Sequence, residues 1–289
     1  MTVDTPDDAV TPRPGDAWRS ALLHTAVPAS IVANGPEPEP TLEATRFRWR
    51  PEVDAAQPVR PSRRAALDAL PNGGSVLDVG VGGGASSLGL VPKVALIVGV
   101  DPLQAMLESF EESARAVGVS ARGVFGTWPD VAGEVGPADV AVCHHAIYRM
   151  AELEDFIDAM TARARHRVVL EISARSPLAS LDPLWKIVHG IDRPDWPVAD
   201  QAHDVLVAMG LDVERDDIVL PARAQEVTPD LVALARRRLY VGPDRDPEID
   251  RYLRAREPAE QRVVALWWQG TAGTDGPASD RRGSAKRRR

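Results

Sequence analysis

One stretch of the chain is suited to holding a ligand by its main chain: Asp78-Val79-Gly80-Val81-Gly82-Gly83-Gly84-Ala85. Residues without a Cβ permit a tight turn and leave amide groups open, so a ligand can approach the bare backbone. The turn follows an apolar run and precedes an expected helix. About twenty residues beyond Gly80, a second apolar run ends in Gly99-Val100-Asp101. At that spacing a carboxylate on the neighbouring strand reaches the hydroxyls of a ribose. The turn and Asp101 together describe a nucleoside pocket.

The same glycines also satisfy the dinucleotide pattern G-x-G-x-x-A, which would make the ligand a nicotinamide cofactor and the protein an NAD(P)-dependent oxidoreductase. Asp78 argues against that ligand. A carboxylate just before the turn would repel a pyrophosphate, whereas it could hold the ammonium of an amino-acid ligand. S-adenosyl-L-methionine has that ammonium, a ribose diol and no phosphate. Here the sequence resembles the class I, Rossmann-like S-adenosylmethionine-dependent methyltransferases, over about residues 60–172. Their D-x-G-x-G-x-G turn falls on Asp78, Gly80, Gly82 and Gly84, and their ribose-binding acid on Asp101. Pro102 follows that acid, and Met106 stands where the family often has an apolar residue beside the adenine. After the third strand the family often has an acid for the adenine amino group. This chain has Gly126-Thr127-Trp128-Pro129-Asp130, leaving Thr127, Trp128 or a backbone group as the adenine contact.

In doubly wound sheets ligands lie over the carboxyl ends of the strands, so the fourth strand should deliver residues to the transferable methyl group. It ends in Cys143-His144-His145-Ala146-Ile147-Tyr148. Two imidazoles and a phenol would then stand beside the sulfonium. Methyl transfer is a displacement in which the enzyme orients the reactants and, for an O–H or N–H acceptor, supplies a base. His144, His145 and Tyr148 are the catalytic candidates. The competing assignment makes His144 a wall of the cofactor pocket and gives His145 a structural hydrogen bond. His189 is a further residue that could reach the site from an insertion. No ligand pair recurs at zinc-type spacing, and one cysteine cannot anchor a thiolate site, so no metal is expected.

Positioning these residues takes alternating strands and helices. Short β-branched runs at 75–79, 94–100, 121–125, 138–144, 167–172, 211–220 and 262–269 alternate with amphipathic stretches, the pattern of βαβ units. Between 152 and 165, Leu153, Phe156, Ile157 and Met160 share one helical face. Further helices are expected near 198–209 and from Thr228-Pro229, and Pro102 would stand at the first position of another, behind an Asp101 cap. The expected fold is α/β: a doubly wound, mainly parallel seven-stranded sheet with helices on both faces, plus an N-terminal helical cap.

The expected organisation is a tail at 1–15, a helical cap and linker at 16–60, and a Rossmann-like domain at 61–270. That domain carries insertions at about 174–210 and 221–260, and a basic tail follows at 271–289. Pro36-Glu37-Pro38-Glu39-Pro40 makes a stiff break inside the linker. Both tails lack an apolar period and are expected to be disordered.

Composition narrows the class further. The 289 residues carry 34 Lys+Arg against 42 Asp+Glu, a net charge of −8, with 44 % hydrophobic and 26 % charged residues. That balance excludes a fibre, a disordered chain and a disulfide scaffold. Six bases fall in the last nine residues, so the remaining body is strongly acidic and poorly suited to a phosphate backbone. Any contact with nucleic acid is expected through the basic tail alone. The single Cys143 fits a reducing compartment, and no apolar stretch is long enough to span a bilayer. The expectation is a cytoplasmic methyltransferase acting on a small-molecule acceptor, with the N-terminal helix and both insertions as the acceptor wall. An oxidoreductase and a catalytically silent nucleoside-binding protein on the same fold are the alternatives.

Overall fold

A computed structural model describes residues 13–35, 47–176, 179–222 and 226–273. The expected proline-rich break at 36–40 and most of both expected tails lie outside these residues. Seven strands form one sheet: β1 Gly74–Val79, β2 Val94–Asp101, β3 Ser120–Phe125, β4 Ala138–His144, β5 Ala164–Ser173, β6 Glu214–Leu220 and β7 Gln261–Gln269. All seven sequence runs became strands. Their order is β3-β2-β1-β4-β5-β7-β6, with β7 antiparallel to both neighbours and every other pairing parallel.

Side chains alternate across the sheet, so neighbouring residues of one strand enter different cores. Leu77, Val79, Ala141 and Cys143 join the cluster on one face, while Val76, Val140 and Val142 join the cluster on the other. The first face is covered by α6 (Leu153–Arg163) and α8 (Ala199–Ala208). Phe156, Ile157 and Met160 of α6 are buried there as their spacing requires, each contributing about 1.5–3 kcal/mol. The second face is covered by α4 (Pro61–Ala69) and α5 (Gln104–Ala116).

A third apolar cluster stands apart from the sheet. Leu184 and Trp185 of α7 (Asp182–His189) pack with Val232 and Ala235 of α9 (Pro229–Arg238) and with Ile249 and Leu253 of α10 (Asp246–Ala255). Ile31 of α2 (Ala29–Asn34) packs against it. The cap is therefore composite, built from the N-terminal segment and both insertions. Thr228 caps α9 by accepting the Leu231 amide, with Pro229 at the first helical position. α1 (Asp16–His24) is tied to the sheet domain by fully buried Trp18, whose indole N–H donates to the Met150 carbonyl at 2.6 Å. The short α3 (Pro51–Ala55) completes the N-terminal segment.

Two local expectations are corrected. No α-helix follows the glycine turn; β1 connects to β2 through a single 3₁₀ turn at Leu88–Leu90. Glycines are poor helix formers, Pro92 closes the segment, and the hydroxyls of Ser86 and Ser87 are drawn back to Asp78 rather than outward. Pro102 also does not begin a helix. The Asp101 carboxylate accepts the Leu103 amide, and α5 starts only at Gln104.

Candidate active site

The sheet brings the chemistry-bearing residues to one edge. Asp78 on central β1 lies in register between Gly99 of β2 and Val142 of β4, and His144 lies opposite Glu171 of β5. Above the carboxyl ends opens a cleft of about 1210 Å3, bordered by the glycine turn on one side and the cap on the other. Gly80, Gly82, Asp101, Pro102, Met106, His144 and His145 line it.

Within the turn the glycines do different things. Gly82 has φ +50°, and a Cβ there would meet nothing within 4 Å, so its bare face is turned to open space. Gly83 is pressed against the backbone of Phe47 and Arg48, where a Cβ would lie 2.0 Å from the Phe47 carbonyl oxygen. Gly84 packs on Leu88 and Phe110 and does not line the cleft. Asp101 locks the arrangement: Oδ2 accepts the Gly82 amide at 3.0 Å and Oδ1 the Leu103 amide at 2.9 Å. Burial raises its pKa, against the pull of those two amides.

Asp78 is fully buried behind the cleft-lining Ser86. Its Oδ2 accepts both the Ser86 and the Ser87 hydroxyl at 2.6 Å, while Oδ1 has no hydrogen-bond partner. Burial pushes its pKa up to about 6, the two hydroxyls opposing. A buried carboxylate oxygen without a donor calls for a cation. The unpartnered Oδ1, the open face of Gly82 and the acceptor atoms of Asp101 fit a cationic amino-acid nucleoside. A pyrophosphate would lack the helix N-terminus it needs, because none follows the turn.

At the end of β4 a polar network replaces free side chains. His145, at φ +57°, donates its backbone amide to the Glu171 carbonyl at 2.8 Å. Its Nε2 lies 3.1 Å from Glu171 Oε1 and its Nδ1 2.9 Å from Tyr148 Oη. Tyr148 Oη accepts the Ser173 amide at 2.8 Å, and in the tautomer whose Nε2–H donates to Glu171 the Tyr148 hydroxyl donates to Nδ1. Glu171 also receives Arg60 and, at 2.5 Å, the Ser62 hydroxyl. Burial opposes its ionisation, but the nearby imidazoles and Arg60 hold its carboxyl well below the usual range. His144 is half-buried with Nε2 unpartnered, and burial lowers its pKa to about 4.

Several expected residues lie elsewhere. Trp128 is in the core, its indole N–H donating to the Phe156 carbonyl at 3.1 Å, and Thr127 is exposed; neither lines the cleft. Tyr148 stands behind His145 rather than on the wall. His189 packs inside the cap against Trp185 and bonds the Leu239 carbonyl at 2.6 Å. Cys143 is buried, with its thiol pKa pushed up. The sequence reading missed Glu171, although a lone acid within Val168-Val169-Leu170-Glu171-Ile172 was a signal, since an unpaired charge is not buried. Among the described residues no group of three or more His, Cys, Asp or Glu could hold a metal ion, and no helix is long and apolar enough to cross a membrane.

Residues 76–167 match the model of a family described as a methyltransferase domain. No curated protein matches the chain. Among solved structures it is similar to magnesium protoporphyrin IX methyltransferase from Synechocystis PCC 6803 with bound SAH. That match has 16 % identity and a TM-score of 0.47 and covers 88 % of this chain and 93 % of that one. A SAM-dependent methyltransferase from Thiobacillus denitrificans in complex with S-adenosyl-L-homocysteine matches at 18 % identity and a TM-score of 0.47, covering 78 % and 96 %.

Proposed function

We propose that this protein is a methyltransferase with S-adenosyl-L-methionine as its cofactor, acting on a drug-sized organic acceptor held between the strand ends and the helical cap. The observation that carries the reading is the size of the cleft. At about 1210 Å3 it exceeds the roughly 300–1,000 Å3 that holds one small ligand, so a second molecule has room beside the nucleoside. Leu22, Val27, Trp185, Trp196 and Leu234 supply an apolar wall on the side away from the glycine turn.

In this reading the backbone at Gly80 and Gly82 and the side chains of Asp101, Pro102 and Met106 hold the nucleoside half. Asp78 acts on the ammonium end from behind Ser86, and Gly84 shapes the turn. The cofactor supplies an electrophilic methyl group on a sulfonium. The protein holds the acceptor in line with it, which is the main contribution open to an enzyme in such a displacement. His144 borders the sulfonium, while His145, fixed by Tyr148 and Glu171, shapes the acceptor side. The single buried cysteine supports a cytoplasmic setting.

Calorimetric titration with S-adenosylhomocysteine and, separately, with NADPH tests the cofactor half. Saturable binding of the first with silence for the second is expected; the reverse result would return the oxidoreductase. Turnover of labelled cofactor against a panel of small organic acceptors, with none but macromolecules methylated, would refute the acceptor class.

A further inference from the structure

Resting on that reading, we propose that the acceptor is an organic carboxylate with an apolar body, methylated on oxygen without a protein base and received by Arg149. Three observations converge on this. The first is that the end of β4 offers no strong free base. Both ring nitrogens of His145 are engaged, by Tyr148 and by Glu171, and Glu171 is itself saturated by Arg60, Ser62 and His145. His144 lines the cleft with its Nε2 buried and unpartnered, and burial lowers its pKa to about 4. Asp182, the remaining loosely held acid of the cleft, sits on α7 in the cap and faces Arg193. An acceptor that must lose a proton during attack meets only the weakly basic His144 at the strand ends, whereas a carboxylate needs no base.

The second observation is charge. Seven arginines and no lysine line the cleft against four carboxylates, in a chain whose net charge is −8. Arg60 and Arg63 pair with Glu171 and Asp54, and Arg19 with Asp16 and Glu152, and the rest of the lining still holds more arginines than carboxylates. A basic cleft in an acidic protein selects anions locally.

The third is Arg149 itself. It ends the 3₁₀ turn Ile147–Arg149 that directly follows β4, is exposed, and lines the cleft. No hydrogen bond or ion pair joins its guanidinium to another described residue. Its guanidinium matches a carboxylate in a two-pronged contact. The Leu22, Leu23 and Val32 side chains along the same cleft provide for the apolar body.

The step balances without a proton. A carboxylate oxygen forms the new bond to the methyl carbon, the carbon–sulfur bond breaks, and its electron pair stays on sulfur. The products are a methyl ester and a neutral thioether.

The experiment is a titration with two probes of the same shape, 2-naphthoate and 2-naphthamide, at saturating S-adenosylhomocysteine. The acid is expected to bind at least tenfold more tightly than the amide, and Arg149→Gln, confirmed as folded by its melting temperature, should reduce that ratio below threefold. Equal affinities, no binding of either probe, or an acid preference that survives Arg149→Gln would overturn the assignment. Failure of S-adenosylhomocysteine itself to bind would overturn the methyl-transfer reading instead, so the two failures are distinguishable.

Discussion

Asp101 at the end of β2 accepts the amide hydrogen of Gly82 at 3.0 Å, so a carboxylate on one strand fixes the turn that leaves its neighbour. The nucleoside half of the cleft is therefore shaped before any ligand enters, and the side chain expected to meet the ribose is already oriented.

Asp101→Ala removes the acceptor of two backbone amides along with the ribose contact. Bonds to a charged acceptor are worth about 1.5–3 kcal/mol. A 10- to 100-fold loss of S-adenosylhomocysteine affinity by calorimetry is expected, together with a lower melting temperature. Asp101→Asn keeps an oxygen for Gly82 and should recover stability more than affinity.

Two adjacent glycines should fail in different ways. Gly82→Ala places a methyl group in open space at φ +50°, costing about 1–2 kcal/mol of stability but obstructing the ligand's approach. Gly83→Ala drives its Cβ into the Phe47 carbonyl and should lower the melting temperature much more. Similar melting temperatures for the two variants would contradict this division.

Asp78 predicts a pH dependence of the ligand-free protein. Its pKa is raised by burial to about 6, so the folded state holds the proton more tightly than the unfolded state. The resulting stability is complete below about pH 4 and is lost as pH rises through 6, by on the order of 2–3 kcal/mol. Melting curves from pH 4 to pH 7 should show this fall in the wild type and not in Asp78→Asn. Saturating S-adenosylmethionine should offset it, because its cationic end favours the ionised carboxylate.

Glu171 predicts the opposite sign. Its carboxyl is held below the usual range, so its contribution is present above the unfolded pKa near 4.5 and is lost as pH falls toward the folded value. Glu171→Gln leaves Arg60 without its partner and disturbs His145, and breaking such a buried pair costs about 3–5 kcal/mol. Chemical denaturation of Glu171→Gln at neutral pH checks the magnitude.

The strand pattern was legible because β-branched runs in a buried parallel sheet are written almost continuously in the sequence, as in Val94 to Val100. The glycine turn and Asp101 were legible because their spacing is set by one strand crossing. The missing helix after the turn was not, since it depends on Ser86 and Ser87 turning inward to a carboxylate, a contact with no periodic signature. Trp128 illustrates a second limit: a residue next to a ligand-binding strand end in sequence was claimed by the core through its bond to Phe156. The role of Arg149 had no signal at all, because in the sequence it is one of many arginines.

Trp18 has a consequence for the order in which the molecule is made. Its partner carbonyl, that of Met150, comes 132 residues later, and α2 packs on a cluster completed only by α10. On the ribosome, at about 5–20 residues per second, α1 and α2 emerge long before anything exists to cover them. Their apolar faces wait, uncovered, while the sheet is translated. The segment holding α1 and α2 is thus synthesised before the residues it packs on, and nascent chains are open to chaperone capture there until α10 has left the tunnel.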